Sequence, residues 1–454
     1  MTPSTLRPAV LLVAYHFAPE NTSGTHRPLH FARALHEAGW DVHVLTVTRN
    51  HVDDIDPALE SIFPYPRRVQ RVAKRRTLGQ RYAAVTSRLR RATLSGGVMP
   101  APAAFAAPAA IPRRGLVRRV LSAWESFPDQ HRSWRKPAVA AGVALGQRIG
   151  FAAVIATGPP WTSLQVGADI AQEIGAAFIA DFRDPWTERL GSSHPDAIAW
   201  LRHRAERAEA RVMRQARLVL FNSPSLMEAS QQAYPAKAHP PRHVILNGSD
   251  APRRETAAAF PDAGPLVLRH FGTLYRGRSV TPVVEALQRM VASRAISAED
   301  VVVELIGSDE IHESFEGITI PIKRQPLMPH AEALRLMMEP ALLLLVQPPT
   351  FGRQIPTKLF EYLCTGNPVL TLAGGDSATW QVAQAYERAF LLEDGRADCI
   401  EATLRDLVFR WRAGVLRQAR TVDDTAALSK RAVGRQLVSS LEIALGRASE
   451  VIRP

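Results

Sequence analysis

A chain of 454 residues is too long for one ordinary domain, and a hydrophobic fraction of 46% lets two or three domains each bury a core. The net charge of +13 is not spread along the chain: residues 67–136 hold 17 Lys or Arg against two acids, Glu125 and Asp129, while the remainder carries 39 basic against 41 acidic residues. A fold that binds nucleic acid over its surface would not confine its charge in this way, whereas a local patch for an anionic surface would.

The first apolar run, 10–14, suits a buried parallel strand. It is shorter than a signal-peptide core and no small-residue cleavage site follows it. The most apolar run elsewhere, 341–346, falls far below the roughly 18 residues of a spanning helix. A cytoplasmic location is therefore expected. Cys364 and Cys399 both sit in apolar stretches and read as free thiols of a reducing compartment rather than a disulfide.

After the first strand, residues 15–25 form a loop containing Pro19, Asn21, Ser23 and Gly24. A helix is expected from about Pro28, with Leu29, Ala32 and Leu35 on one face and Gly39 as its stop. Residues 42–46 give the next strand and complete a βαβ unit. The basic segment then breaks the rhythm. Residues 98–112 are almost entirely Ala and Pro, a low-complexity linker. Over 113–127, Leu116, Val117, Val120, Leu121, Trp124 and Phe127 recur at helical spacing, with Arg113, Arg114, Arg118 and Arg119 largely on another face. Such a helix either packs on the core with solvated arginines or lies on anionic lipid, and the sequence supports both.

Alternation resumes with a strand at 153–156, Gly158-Pro159-Pro160, and a helix through 171. A strand at 178–182 ends in Arg183-Asp184-Pro185-Trp186; a charged helix over 196–215, a strand at 218–221 and a run at 244–246 lead to Asn247-Gly248. Past the polar stretch 250–265, strands are predicted at 266–271, 301–306, 342–346, 369–372 and 390–392, with helices at 281–293, 331–338, 357–365, 378–386 and 399–412. Two tandem arrays predict an α/β protein of two doubly wound domains with a cleft between them, joined near 248–265. Ligands of such folds sit where strand ends feed helix N-termini. The absence of GxGxxG, GxxxxGK[ST], HExxH and cysteine clusters argues against dinucleotide, P-loop and zinc chemistry.

Four segments carry a family likeness: VLLVAYHFAPENTSGTHRPLHFARALHEAGWDVHVLT, FIADFRDPW, HFGTLYRGRS and IPTKLFEYLCTGNPVL. In order and spacing they resemble glycosyltransferase family 4 over most of the chain, most closely bacterial members that build surface polysaccharides. The resemblance implies the GT-B architecture, two Rossmann-like domains facing across a cleft. It places an acceptor domain at 1–248 with a basic insertion at about 64–137, a nucleotide-sugar domain at 249–430, and a helix over 431–454 packing back on the first domain. It implies retaining hexosyl transfer from a nucleotide-sugar to a lipid-linked or saccharide acceptor, and the charge of the basic segment places that transfer at the inner face of the cell membrane as an expectation. No metal or cofactor is expected, because arginine and lysine can neutralise the departing diphosphate. A nucleotide-sugar epimerase of the same fold and a catalytically degenerate membrane-associated scaffold are the alternatives. Nucleic acid is not an expected partner, since the basic segment lacks the interleaved aromatics of stacking platforms.

Residue by residue, the likeness assigns Glu361 to the ribose hydroxyls. The competing reading of Glu361 is an i,i+3 surface pair with Lys358, worth about 0.2–0.5 kcal/mol. Arg276, in the loop after strand 266–271, matches the basic residue that neutralises the diphosphate, with Arg278 and Lys358 as further cations and Gly272 and Gly277 allowing close backbone approach. Eight residues before Glu361, where many members carry glutamate, stands Arg353, which suggests a different sugar contact, for instance to an acidic sugar. Asp184, with Asp181 and Arg183, ends a strand of the first domain and is a candidate to position the acceptor or stabilise oxocarbenium charge; a helix cap before Pro185 is the plain alternative. His16, His26 and Gly24 lie in or beside the first loop, with Gly24 expected at a close approach to the donor.

Overall fold

The computed structural model describes residues 7–52, 54–75, 127–187, 199–235, 240–256, 258–274, 277–307, 314–417 and 424–447. The Ala/Pro linker, the four arginines of the amphipathic stretch and Arg276 lie outside the described residues. The chain divides into two compact units: Met1–Leu220 with Ala236–Pro241 and Ile443–Pro454, and Phe221–Pro235 with Arg242–Glu442.

The first sheet has seven strands: β1 (Ala9–Val13), β2 (Asp41–Val47), β3 (Val69–Val72), β4 (Ala153–Gly158), β5 (Ala177–Phe182), β6 (Leu218–Phe221) and β7 (Arg242–Val244). Their order is β3-β2-β1-β4-β5-β6-β7, and β1 pairs in parallel with both β2 and β4. Every residue of β1 and β4 is buried, which is why both read as apolar runs. Its helices are α1 (Ser23–Glu37), α2 (Arg135–Ile149), α3 (Trp161–Ile174) and α4 (Ala199–Gln215), followed by α5 (Pro224–Ala233).

The second sheet repeats the plan with β8 (Leu266–Phe271), β9 (Val301–Ile306), β10 (Ile322–Gln325), β11 (Leu342–Val346), β12 (Val369–Ala373) and β13 (Ala389–Glu393) in the order β10-β9-β8-β11-β12-β13. All the neighbouring pairs are parallel. Its helices are α6 (Thr281–Ala292), α7 (His330–Met337), α8 (Thr357–Cys364), α9 (Ala378–Ala383), α10 (Ala397–Arg412) and α11 (Lys430–Ala444). Both sheets therefore reverse strand order next to their first strand, at β1/β4 and at β8/β11, the places where doubly wound folds hold ligands.

Three local features depart from expectation. Helix α1 starts at Ser23 rather than near Pro28, so Pro28 lies inside it. Proline has no N–H for the carbonyl four residues back, that of Gly24, and the Arg183 guanidinium donates to that oxygen instead, at 3.0 Å. Strands β3 and β10 also went unpredicted; their sequences, VQRV and IKRQ, are half-exposed edges with no apolar run. Finally, the described ends of the basic segment, which include edge strand β3, meet in the first unit. Arg75 N–H bonds Ser133 O at 3.2 Å, and the buried Trp134 donates its indole N–H to Val72 O at 3.1 Å. Cys364 is buried and Cys399 half-buried, both as free thiols. No helix among the described residues is long and apolar enough to cross a membrane.

Candidate functional site

In the second unit, the chain leaves β8 at Gly272 with φ +116°, a conformation that favours glycine. The Gly272 N–H is tied to Ile306 O at 2.8 Å. A Cβ at 272 would stand 3.3 Å from both Cε and Nζ of Lys358. Gly307, the residue after β9, also has positive φ (+79°); a Cβ there would meet Leu327 Cδ1 at 3.2 Å and the Gly272 Cα at 3.7 Å. Lys358, Gly272, Gly307 and Leu327 thus form a row across the strand ends, with bare backbone in the middle. Leu327 is 78% exposed at the end of that row.

Lys358 lies in the first turn of α8, where the helix dipole already favours an anion. Among the described residues no carboxylate lies within ion-pair distance of its ammonium. Glu361, one turn along the same helix, is only 8% exposed. It makes no ion pair with Lys358; its one ionic neighbour among the described residues is His330, whose Nε2 stands 3.6 Å from Oε1. That is too long for a hydrogen bond. The surface-pair reading of Lys358 and Glu361 is therefore not what the fold forms. A nearly buried carboxylate without bonded partners is costly, and ligand hydroxyls would relieve that cost.

Behind this row, His270 binds Leu344 O through Nδ1 at 2.9 Å. Burial first, and then the charges of Lys358 and Arg278, lower its pKa to about 4, so the ring is neutral near pH 7. The Tyr362 hydroxyl accepts the Phe271 N–H at 3.1 Å, and burial raises its pKa above the usual phenol range. Arg278 sits with Cζ 4.9 Å over the Phe351 ring and Nη2 3.5 Å from Gln347 Oε1. Gln347 in turn donates to Phe351 O at 2.9 Å and Gln354 O at 3.2 Å, which ties the loop between β11 and α8. Arg353 belongs to that loop, but its Nη1 donates to Ser225 O at 3.3 Å while its own carbonyl accepts from the Ser223 hydroxyl at 2.8 Å. The acidic-sugar contact suggested for it has no support in this geometry. Gly307, Leu327 and His330 were not picked out in the sequence; they join Lys358 and Glu361 only through strand order.

In the first unit the predicted acidic cluster separates into roles. Asp181 is fully buried and clasped by Arg27 through Nη2–Oδ1 at 2.7 Å and Nε–Oδ2 at 3.0 Å, with the Thr157 hydroxyl donating to Oδ2 at 2.7 Å. It is a structural tie between α1, β4 and β5. Arg183 donates to the carbonyls of Gly24 and Pro159. Burial lowers its pKa, opposed by Asp181 and Asp184. Asp184 stays half-buried beside it, followed by Trp186, which stacks on Trp161 with ring centroids 5.1 Å apart. Gly24 lies in the first turn of α1 rather than at a loop tip, and a Cβ there would meet His16 Cδ2 at 3.0 Å. His16 Nδ1 is 2.6 Å from Glu20 Oε1. Asp129, at the N-terminus of α3, accepts from both the N–H and hydroxyl of Thr162 at 2.8 Å. The chain contains one Asp-x-Asp sequence, Asp54-Ile55-Asp56, whose Asp56 is engaged as a turn cap on Ala58 N–H at 2.9 Å.

No family model matches the chain, and no curated protein matches it. Solved structures do. Anabaena HepE, determined in complex with UDP-glucose, aligns at 15% identity and TM-score 0.54 over 96% of this chain and 100% of its own. Sucrose-phosphate synthase from Thermosynechococcus elongatus aligns at 17% identity and TM-score 0.55 over 98% and 100%. A protein named a UDP-N-acetylglucosamine 2-epimerase, from Listeria monocytogenes, aligns at 11% identity and TM-score 0.51 over 98% of each chain. At these identities the likeness establishes the fold, the two-domain α/β arrangement of GT-B proteins.

Proposed function

We propose that this protein is a retaining glycosyltransferase that takes a hexosyl group from a nucleotide-sugar and passes it to a lipid-linked or saccharide acceptor of a surface polysaccharide. The observation that carries the reading is the row at the ends of β8 and β9: an ammonium with no ion-pair partner among the described residues, two bare glycines, and Glu361 one turn away. Its spacing suits a nucleoside diphosphate, with the diphosphate against Lys358 and Gly272 and the ribose hydroxyls on Glu361. Leu327 and His330 then stand where a nucleobase would lie. HepE, of the same fold, holds UDP-glucose, which supports a nucleotide-sugar as donor.

In the reaction the bond from the anomeric carbon to the diphosphate oxygen breaks and its electron pair stays on the diphosphate. Negative charge grows there, where Lys358, Arg276 and Arg278 are proposed to stabilise it without a metal. The acceptor hydroxyl oxygen forms the new bond on the same face, and its proton passes to the departing diphosphate oxygen. On the first unit, Asp184 is the residue proposed for the acceptor side and Gly24 for a close approach to the donor. The basic segment would hold the protein at the inner, anionic face of the cell membrane. A panel of nucleotide-sugars, assayed for nucleoside diphosphate release with and without saccharide or lipid-linked acceptors, tests the reading. Acceptor-dependent release supports transfer. Turnover of the sugar without acceptor would identify an epimerase, and binding without turnover a degenerate scaffold.

A further inference from the structure

The first unit carries a second concentration of chemistry, away from the residues assigned above. Helices α2, α3 and α4 enclose a groove of about 240 Å³ lined by Phe127, Arg135, Asp169, Arg204, Arg207 and Arg211 among others. Four of its described lining residues are arginines and one is a carboxylate. That carboxylate is shared. Arg135 grips Asp169 at 2.8 and 3.1 Å, and Arg211 reaches the same group at 3.1 Å. Arg204 lies with Cζ 4.7 Å over the Phe127 ring, which fixes the plane of its guanidinium. Arg207 is exposed and has no carboxylate partner among the described residues.

Along α4 these arginines fall at 204, 207 and 211, spacings of three and four that place like charges side by side on one helix face. Such pairs cost helix stability in isolation. A groove that gathers them with a fourth arginine from α2, and supplies one acid, is organised for an external anion. Guanidinium forks pair bidentately with the oxygens of phosphate, which a spherical halide ion does not offer. We propose that this groove binds a phosphate group, either free or as a lipid headgroup.

The test uses the full chain and thermal unfolding, with inorganic phosphate compared against chloride at equal ionic strength. Phosphate should raise the melting temperature beyond chloride in the wild type and equally in Lys358→Met, which removes the cation proposed to hold the nucleotide. In Arg204→Gln/Arg207→Gln the phosphate-specific rise should vanish, while melting without phosphate should be unchanged or higher because the repulsion is relieved. Phosphate stabilising that variant as much as the wild type, or no better than chloride in either, would overturn the proposal. Phosphatidylglycerol vesicles distinguish the source. If a headgroup occupies the groove, the double variant should co-sediment roughly tenfold less than the wild type; equal sedimentation assigns the groove to free phosphate. Nucleoside diphosphate affinity should be the same in the double variant and the wild type, so loss of one site can be told from loss of the other.

Discussion

A side chain at Gly272 would stand 3.3 Å from the ammonium of Lys358, so the glycine keeps open the space into which that charge projects. The backbone at 272 also has φ +116°, and any other residue there is strained by about 1–3 kcal/mol. Gly272→Ala should therefore lose both thermal stability and affinity for a nucleoside diphosphate. Gly264 separates the two effects: its φ is +98° with no atom within 4 Å of an added Cβ. Gly264→Ala should lose stability and keep its affinity in calorimetry. Equal affinity in both variants would show that the space beside Lys358 is not a ligand site.

Lys358 and Arg276 are proposed to act on charge that develops as the diphosphate departs. Lys358→Met and Arg276→Ala should each lower turnover by roughly 10–100-fold, more than they weaken ground-state donor binding. A chelator should leave turnover intact. Steady-state rates beside donor dissociation constants check this; a loss confined to affinity, or a collapse on chelation, would contradict the cationic mechanism.

How far was this site legible in the sequence? Strands β1 and β11 were, because strands buried on both faces become unbroken apolar runs; β4, β8 and β9 were too, as apolar runs broken only by Thr157, by Arg269 and His270, and by Glu304. Lys358 and Glu361 were, because they share one short helix within a specific motif. Gly307, Leu327 and His330 were not. They come from the ends of β9 and from the residues after β10, and only the strand order brings them to α8. Strand β10 itself, IKRQ, offers neither an apolar run nor strict alternation. Pro28 misled the reading of α1: proline usually opens a helix, but here Arg183 replaces the hydrogen bond that proline cannot make, so the helix runs on from Ser23.

The buried histidines give a pH dependence of definite sign. His270 titrates near 6.5 in the unfolded chain and near 4 in the fold, chiefly through burial. Between those values the unfolded state binds a proton that the folded state does not. Stability should be full above about pH 6.5, fall as the pH drops toward 4, and level off below. His131, lowered to about 3 by burial and by Lys74 and His16, extends the same trend in the first unit. His270→Asn keeps a donor for Leu344 O, and urea midpoints should fall less steeply for it between pH 6.5 and 4. Identical slopes in variant and wild type would refute the assignment.

The segment 76–126 follows directly on Arg75, whose N–H bonds Ser133 O at 3.2 Å. Replacing it with a short Gly/Ser linker should leave nucleoside diphosphate binding within about twofold, because none of the proposed nucleotide contacts lies in it. Binding to anionic vesicles should weaken strongly, and in the full chain it should decline with salt and on changing Arg113, Arg114, Arg118 and Arg119 to Gln. Equal binding to neutral vesicles, or none to either, would remove the membrane proposal and leave the transferase reading standing.

The most direct test of the central claim sets Glu361 against the ribose itself. Calorimetry would compare each nucleoside diphosphate with its 2′,3′-dideoxy analogue, on the wild type and on Glu361→Ala. If Glu361 holds both hydroxyls, removing them should cost the wild type about 2–4 kcal/mol. The variant should bind both nucleotides with that lower affinity and distinguish them little. If the wild type binds the dideoxy analogue as tightly as the parent, or the variant still discriminates fully, Glu361 does not hold the ribose and the nucleotide site lies elsewhere.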